Sequence, residues 1–227
     1  MLSLIAACAF FLLIHFAVSG TRLRDRLVAR MGERAYRGAF SLASLAGLVW
    51  MGRAYARAPD IELWGRLAGD RPFAFAVVFV GVLFVVVGLA SPNPTTVGME
   101  AQLTAAYSPR GITRITRHPF LWGVGLWALV HLAVNGDLAS LILFGSLLLL
   151  ALAGTTVIDA KLRRRLGERW QAFAAGTSNV PFAAIAAGRN ELAPALREIG
   201  FVRPAVAIAV YGLLFVLHGP LIGVRLT

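Results

Sequence analysis

The sequence predicts an all-α fold, a polytopic integral membrane helical bundle of about six transmembrane helices. Three observations carry that prediction. Hydrophobic residues make up 58% of the 227 and mean hydropathy is +0.73, which leaves too little polar surface for a soluble globule. Apolar stretches recur near residues 2–19, 36–52, 73–90, 119–135, 138–158 and 201–221. Five of these can cross a hydrocarbon core of about 30 Å at about 1.5 Å per residue, and the sixth nearly can. The basic residues lie between the stretches and alternate in density along the chain.

Lys and Arg number six in 20–37, four in 53–71, three in 110–117, none in 135–137, eight in 161–203 and one at Arg225. Alternate loops therefore hold 17 against 5. This positive-inside bias puts the rich loops in the cytoplasm and both termini outside it. The same distribution accounts for the net charge of +11 without nucleic acid, since no nucleic-acid-binding module is present. A five-span reading, with the last stretch peripheral, would move only the C-terminus.

The first span has no basic leader and its arginines follow it, the pattern of an uncleaved span with its N-terminus outside. Cys8, within it, is the sole cysteine, so no disulfide framework exists. The run from Leu4 to Cys8 imitates a lipoprotein box only loosely. His15 also lies inside this span, where an ionisable side chain is either functional or hydrogen-bonded to a neighbouring helix. Residues 21–37 read as a short cytoplasmic connection that brings Tyr36 to the interface. In the second span Gly38, Ser41, Ala43, Ser44, Ala46 and Gly47 let helices approach closely. An outer loop with Trp64 leads through Arg71 and Pro72 into a uniformly apolar third span.

The sequence SPNPTTVG at 91–98 ends that span in a turn, and the stretch up to Tyr107 and Pro109 lies at the interface. Pro119 opens the fourth span at the first helical position, behind Arg110, Arg114 and Arg117. His118 then sits at the interface and His131 inside the bilayer. Asn135-Gly136-Asp137 turns the chain into the fifth span as an antiparallel hairpin. Residues 159–175 form one amphipathic helix, Leu162, Leu166, Trp170 and Phe173 on one face and the arginines 163–165 and 169 with Glu168 on the rest. Such a helix lies flat on the cytoplasmic leaflet. GTSNVPFAAIAAGRNEL, a loop or short helix, leads to the last span, which carries His218 near the outer face. The chain reads as one transmembrane domain, 1–227, with no internal repeat, phosphate loop, zinc-spaced Cys/His set or serine-hydrolase elbow.

The four histidines lie in spans or at their ends, with few carboxylates inside the spans. That set fits a metal or a haem better than acid–base hydrolysis. Gly123, Trp127 and His131 share a face at four-residue spacing. Glycine could open a slot there, the indole pack on a ring and the imidazole reach iron; interhelical packing with a hydrogen-bonded histidine is the alternative. With His118 at the cytoplasmic boundary, helical rise sets His131 about 20 Å above it and His15 about 6–10 Å above it. His15–His118 and His131–His218 are easier in depth than His15–His131, and all three pairings stay open. Arg114 and Arg117, three apart and so on one helix face, are candidates for the propionates of a haem or another anionic head group, or for topological anchoring.

Several blocks together resemble the NnrU family: HFAVSGTRLRDRLVARMGERAYRGAF, NPTTVG, GITRITRHPFLWGVGLWALVHLAVNGDLASLILFG, GERW, NVPFAAI and LHGPLIG. That resemblance implies a bacterial inner-membrane protein with a periplasmic N-terminus, linked to nitrite and nitric oxide metabolism. The same blocks are similar to the 15-cis-zeta-carotene isomerases, which implies haem b on His15 and His131 and redox-dependent isomerisation of an apolar polyene. Ala128 stands where the plant enzymes have a cysteine, so exchange of ligand through a thiolate is unavailable. Arg117-His118-Pro119 with Gly123, then Asp159 and a basic segment, is similar more distantly to isoprenylcysteine carboxyl methyltransferases. That likeness implies S-adenosylmethionine, although Leu121 replaces a tyrosine and Asp159 lacks a second acidic neighbour. The expected partners are the bilayer and an apolar small molecule or nitric oxide. A non-enzymatic assembly or sensor subunit is the remaining alternative.

Overall fold

The computed structural model describes residues 1–65, 71–96, 98–104 and 107–223. Arg66, Arg225, Val97 of the NPTTVG block and residues 105–106 of the interface stretch lie outside them. The described residues form helices joined by turns and loops, with no strand and one isolated bridge, Glu62 to Asp137. Eleven helices follow in order: α1 Leu2–Leu13, continued by a π-helical turn Ile14–Ser19, then α2 Arg22–Met31, α3 Glu33–Ala56, α4 Arg71–Leu89, α5 Ile112–Ile115, α6 Pro119–Asn135, α7 Leu138–Leu166, α8 Glu168–Gly176, α9 Ala183–Ala186, α10 Leu192–Ile199 and α11 Val202–Ile222.

All six predicted spans are helical. Leu2–Ser19, Pro72–Leu89, Leu138–Leu166 and Val202–Ile222 are each long and apolar enough to cross a membrane. Pro119–Asn135 is apolar but shorter, and α3 is long but carries Glu33, Arg34, Arg37 and Arg53. The protein is a helical membrane bundle. Its large exposed side chains are those of a lipid-facing surface: only 6% of the α11 span is buried, and Phe201, Val216 and Leu221 point outward.

The chain divides into two compact units, Met1–Arg71 with Ala128–Lys161 and Pro72–Trp127 with Leu162–Thr227. In the first, Leu4, Ala7, Cys8 and Phe11 of α1 pack with Met51 and Ala54 of α3 and Ala139 of α7. Gly47 permits this closeness, because a Cβ there would meet the ring of Phe11 at 3.0 Å. The turn into α7 is built from Gly136, at φ +67°, and from Asp137, whose carboxylate accepts the Ser140 N–H at 2.8 Å as an N-cap.

In the second unit α4 and α11 meet through Phe75–Phe215 and Phe79–Tyr211. Phe84 and Val87 of α4 form a core with Ile112, Ile115, Ala195 and Ile199. Arg114 on α5 pairs with both carboxylate oxygens of Glu198 on α10, at 2.9 and 2.8 Å. The Arg114 guanidinium and the Gly111 N–H hold the Glu198 carboxyl down to about 2 from an ordinary 4.5.

Three local expectations are corrected. Residues 21–37 are not a plain connection: Thr21 caps α2 by accepting the Leu23 N–H at 3.1 Å, and Gly32, at φ +84°, turns the chain into α3. The expected amphipathic helix 159–175 is broken at Gly167, φ +54°, between the end of α7 and α8. Its apolar residues Leu162, Trp170 and Phe173 are buried within the second unit, so protein rather than lipid covers that face. Arg114 and Arg117 do not share a helix face, because α5 stops at Ile115 and Thr116 is extended.

Candidate functional site

His15 stands in the only six-residue turn where α1 leaves α-helical register, the π-helical stretch Ile14–Ser19. Such widened turns re-aim side chains and recur at functional sites. Thr21 Oγ1 donates to the Ala17 carbonyl at 2.6 Å, and Gly20 lets the turn lie against α7, where a Cβ would come within 2.6 Å of Val157 Cγ1. The His15 ring packs on Phe11 at 4.4 Å and edge-on to Phe40 at 5.1 Å. Its Nδ1 lies 2.7 Å from the Phe11 carbonyl oxygen. A carbonyl only accepts, so Nδ1 carries the proton and Nε2 keeps its lone pair.

α3 brings Phe40 against that ring, with Tyr36 and Ser44 four residues before and after it and therefore on the same helix face. Tyr36 stacks with Phe40 at 6.0 Å. The Tyr36 hydroxyl is buried beside Ser19 without a hydrogen bond of ordinary geometry, and the Ser44 hydroxyl is likewise buried and unbonded among the described residues. Arg24, 6% exposed, places its guanidinium 5.4 Å from the Tyr36 ring centre and donates to Glu33 at 2.7 Å. Sequence reasoning passed over Arg24. It is one of six arginines in 20–37, and only the Thr21 cap, which fixes which face of α2 turns inward, distinguishes it.

His131 belongs to the same unit, with its ring 5.0 Å from Phe144, which is itself edge-on to Tyr55 at 6.0 Å. The register of α1 along α7 is set by Cys8 against Ser146 and Gly20 against Val157. On that register His15 is level with about residue 152 of α7, roughly eight residues or about 12 Å from the level of Phe144. The two histidines thus stand in one unit at different depths.

His118, Arg114, Arg117, Trp127 and His218 fall in the second unit. His118 is not at an open interface: it is 2% exposed, in a buried polar hub. There Asn93 Nδ2 and Thr95 Oγ1 donate to the Arg117 carbonyl at 3.1 and 2.6 Å, Thr116 Oγ1 donates to the Asn179 carbonyl at 2.5 Å, and Trp122 Nε1 donates to the same oxygen at 2.8 Å. Arg117 N–H bonds the Ser178 carbonyl at 3.0 Å, and its guanidinium lies 5.6 Å from the Trp170 ring centre. The NPTT, TRH and TSN motifs are therefore three strands of one knot. The face of Gly123 and Trp127 is turned to α4: a Cβ on Gly123 would stand 2.5 Å from the Gly81 carbonyl, and one on Gly81 would stand 3.5 Å from the Trp127 nitrogen. The slot expected at Gly123 is filled by a helix backbone.

Whether a haem suits these residues can be tested on the donors. A ligating imidazole characteristically has its other nitrogen fixed by a carbonyl or carboxylate, and His15 meets that requirement within a ring-lined setting. No group of three or more His, Cys, Asp or Glu able to hold a bare metal ion occurs among the described residues.

Comparison with known proteins follows the same lines. The model of a family described as NnrU protein matches residues 3–226. The chain is 28% identical over 208 residues to the chloroplastic 15-cis-zeta-carotene isomerase of Zea mays, covering 87% of this chain and 54% of that protein. It is 28% identical over 193 residues to the Arabidopsis thaliana protein of the same name, covering 80% and 50%. The chain thus spans about half the length of these relatives. No solved structure matches.

Proposed function

The chain belongs to the NnrU family, and from that premise we propose that it is a haem b protein of the bacterial inner membrane with isomerase-like activity on an apolar polyene. The observation that carries the reading is the His15 imidazole, inside a span, with Nδ1 committed to the Phe11 carbonyl and Nε2 left for iron. The likeness to 15-cis-zeta-carotene isomerases supplies the reaction class.

In this reading His15 would hold the iron, on the geometry of its own ring; family resemblance names His131 as a further candidate, at a different depth of the same unit. When bound, the haem would supply a redox-sensitive iron and, where one imidazole alone holds it, a site for nitric oxide, the link to nitrogen-oxide metabolism. The protein's own part is orientation and exclusion of water. Phe11 and Phe40 fix the imidazole plane, and the Phe11 carbonyl fixes its tautomer. The exposed apolar faces of the spans give a polyene access from the bilayer. The basic loops are cytoplasmic in this proposal, by the charge asymmetry.

The test is the absorption spectrum of the full chain purified after expression with ample haem supply. A Soret band is expected in the wild type and is lost in His15→Ala, with helix content unchanged. A colourless wild-type protein would overturn the reading.

A further inference from the structure

An arginine is rarely taken out of water without a use for its charge. Arg24, with a side chain 7% exposed, is buried at the end of the π-helical turn. Two of its five N–H donors are spoken for, one by Glu33 at 2.7 Å and one, weakly, by Asp25 at 3.4 Å. Its guanidinium covers the ring of Tyr36, whose hydroxyl is buried beside Ser19 without a hydrogen bond of ordinary geometry. One buried cation and one idle O–H donor therefore stand side by side, joined to His15 through the Tyr36–Phe40 stack.

We propose that Arg24 and Tyr36 form a carboxylate anchor at the end of the His15 site, and that they take a propionate of the porphyrin. The inference rests on the haem reading above. A carboxylate suits both donors at once, a charge-assisted bond from the guanidinium and an O–H bond from the phenol. Glu33 does not block it, because its Oε1 also accepts from Arg37 Nε at 2.9 Å, the i,i+4 neighbour on α3, which keeps that carboxylate paired when Arg24 turns to the ligand. The arginines first considered for this role have other work. Arg114 spends three nitrogens on Glu198 and Asn190, and Arg117 lies over Trp170 in the second unit.

The experiment titrates haem-depleted full chain in detergent with haem and with haem dimethyl ester, whose propionates are esterified. Wild type is expected to prefer haem by about tenfold to a hundredfold, the range for a hydrogen bond to a charged group. Arg24→Gln should bring haem affinity down to that of the diester and leave diester affinity unchanged. Tyr36→Phe, which deletes only an oxygen that makes no hydrogen bond of ordinary geometry, should do the same to a lesser degree and guards against misfolding of the arginine variant. Variants that keep the full preference overturn the anchor, as does a wild type that binds both porphyrins equally well and shows a normal Soret band. A wild type that binds neither overturns the haem reading and the anchor with it.

Discussion

The two units each bury polar side chains, and they do so differently. In the second, Asn93, Thr113, Thr116, Thr177 and Ser178 are all under 7% exposed and every one is hydrogen-bonded, so the knot of three motifs is closed on itself. Among the described residues its idle polar atom is the buried Trp170 indole N–H, with the Arg117 guanidinium over the Trp170 ring. In the first unit Tyr36 and Ser44 keep idle hydroxyls on the helix face that meets His15, and an arginine keeps spare donors. A satisfied network fixes a fold, whereas an unsatisfied one costs stability and persists where something else completes it. On the haem reading proposed above, the contrast gives architecture to the second unit and ligand binding to the first.

The largest effect that could break this contrast is at Asn93. Its side chain donates to the Arg117 carbonyl at 3.1 Å and accepts from Thr95 N–H at 3.0 Å, while the Thr95 hydroxyl gives its one proton to the same Arg117 carbonyl. Asn93→Ala is expected to cost about 2–4 kcal/mol, these two buried bonds at about 1 kcal/mol each plus the orphaned partners. Thermal unfolding in detergent would show this, and the protein that remains folded should keep its haem spectrum. Loss of the spectrum without loss of stability would move the ligand into the second unit.

How much of this was legible in the sequence follows from distance along the chain. The spans were, because hydropathy and the basic loops are local. The hub was not: residue 178 is separated from 93 and 117 by α6, α7 and α8, and nothing in the composition of these motifs says that they meet. The π-helical turn was also hidden, since His15 reads as an ordinary span residue and only the approach of Gly20 to α7 shows the widened register. The amphipathic pattern of 159–175 is a real apolar face, but the break at Gly167 turns that face to protein rather than lipid.

A smaller test concerns the clasp between α5 and α10. Because the Glu198 carboxyl is held at about 2 against an ordinary 4.5, its contribution is whole above about pH 4.5 and is lost as pH falls towards 2. The side chain is 33% exposed, so solvent screening reduces the roughly 3 kcal/mol that such a shift implies to about 1 kcal/mol. Melting curves between pH 3 and 7 should therefore show wild type losing a few degrees more than Glu198→Gln on acidification. Parallel curves would remove the clasp from the second unit's architecture.

The smallest effect is the most discriminating. If the Tyr36 hydroxyl were structural, Tyr36→Phe would cost the usual 0.5–1.5 kcal/mol of a lost hydrogen bond. It makes none of ordinary geometry, and burying it unbonded already carries a penalty, so the haem-free variant should be as stable as wild type or more stable by up to about 1 kcal/mol. With haem bound the order should reverse, because the wild type then gains a partner for that oxygen and the variant does not. Melting the two proteins with and without haem reads both signs in one experiment. A variant less stable than wild type in the haem-free state would mean that the first unit, like the second, buries its polar groups for the fold alone.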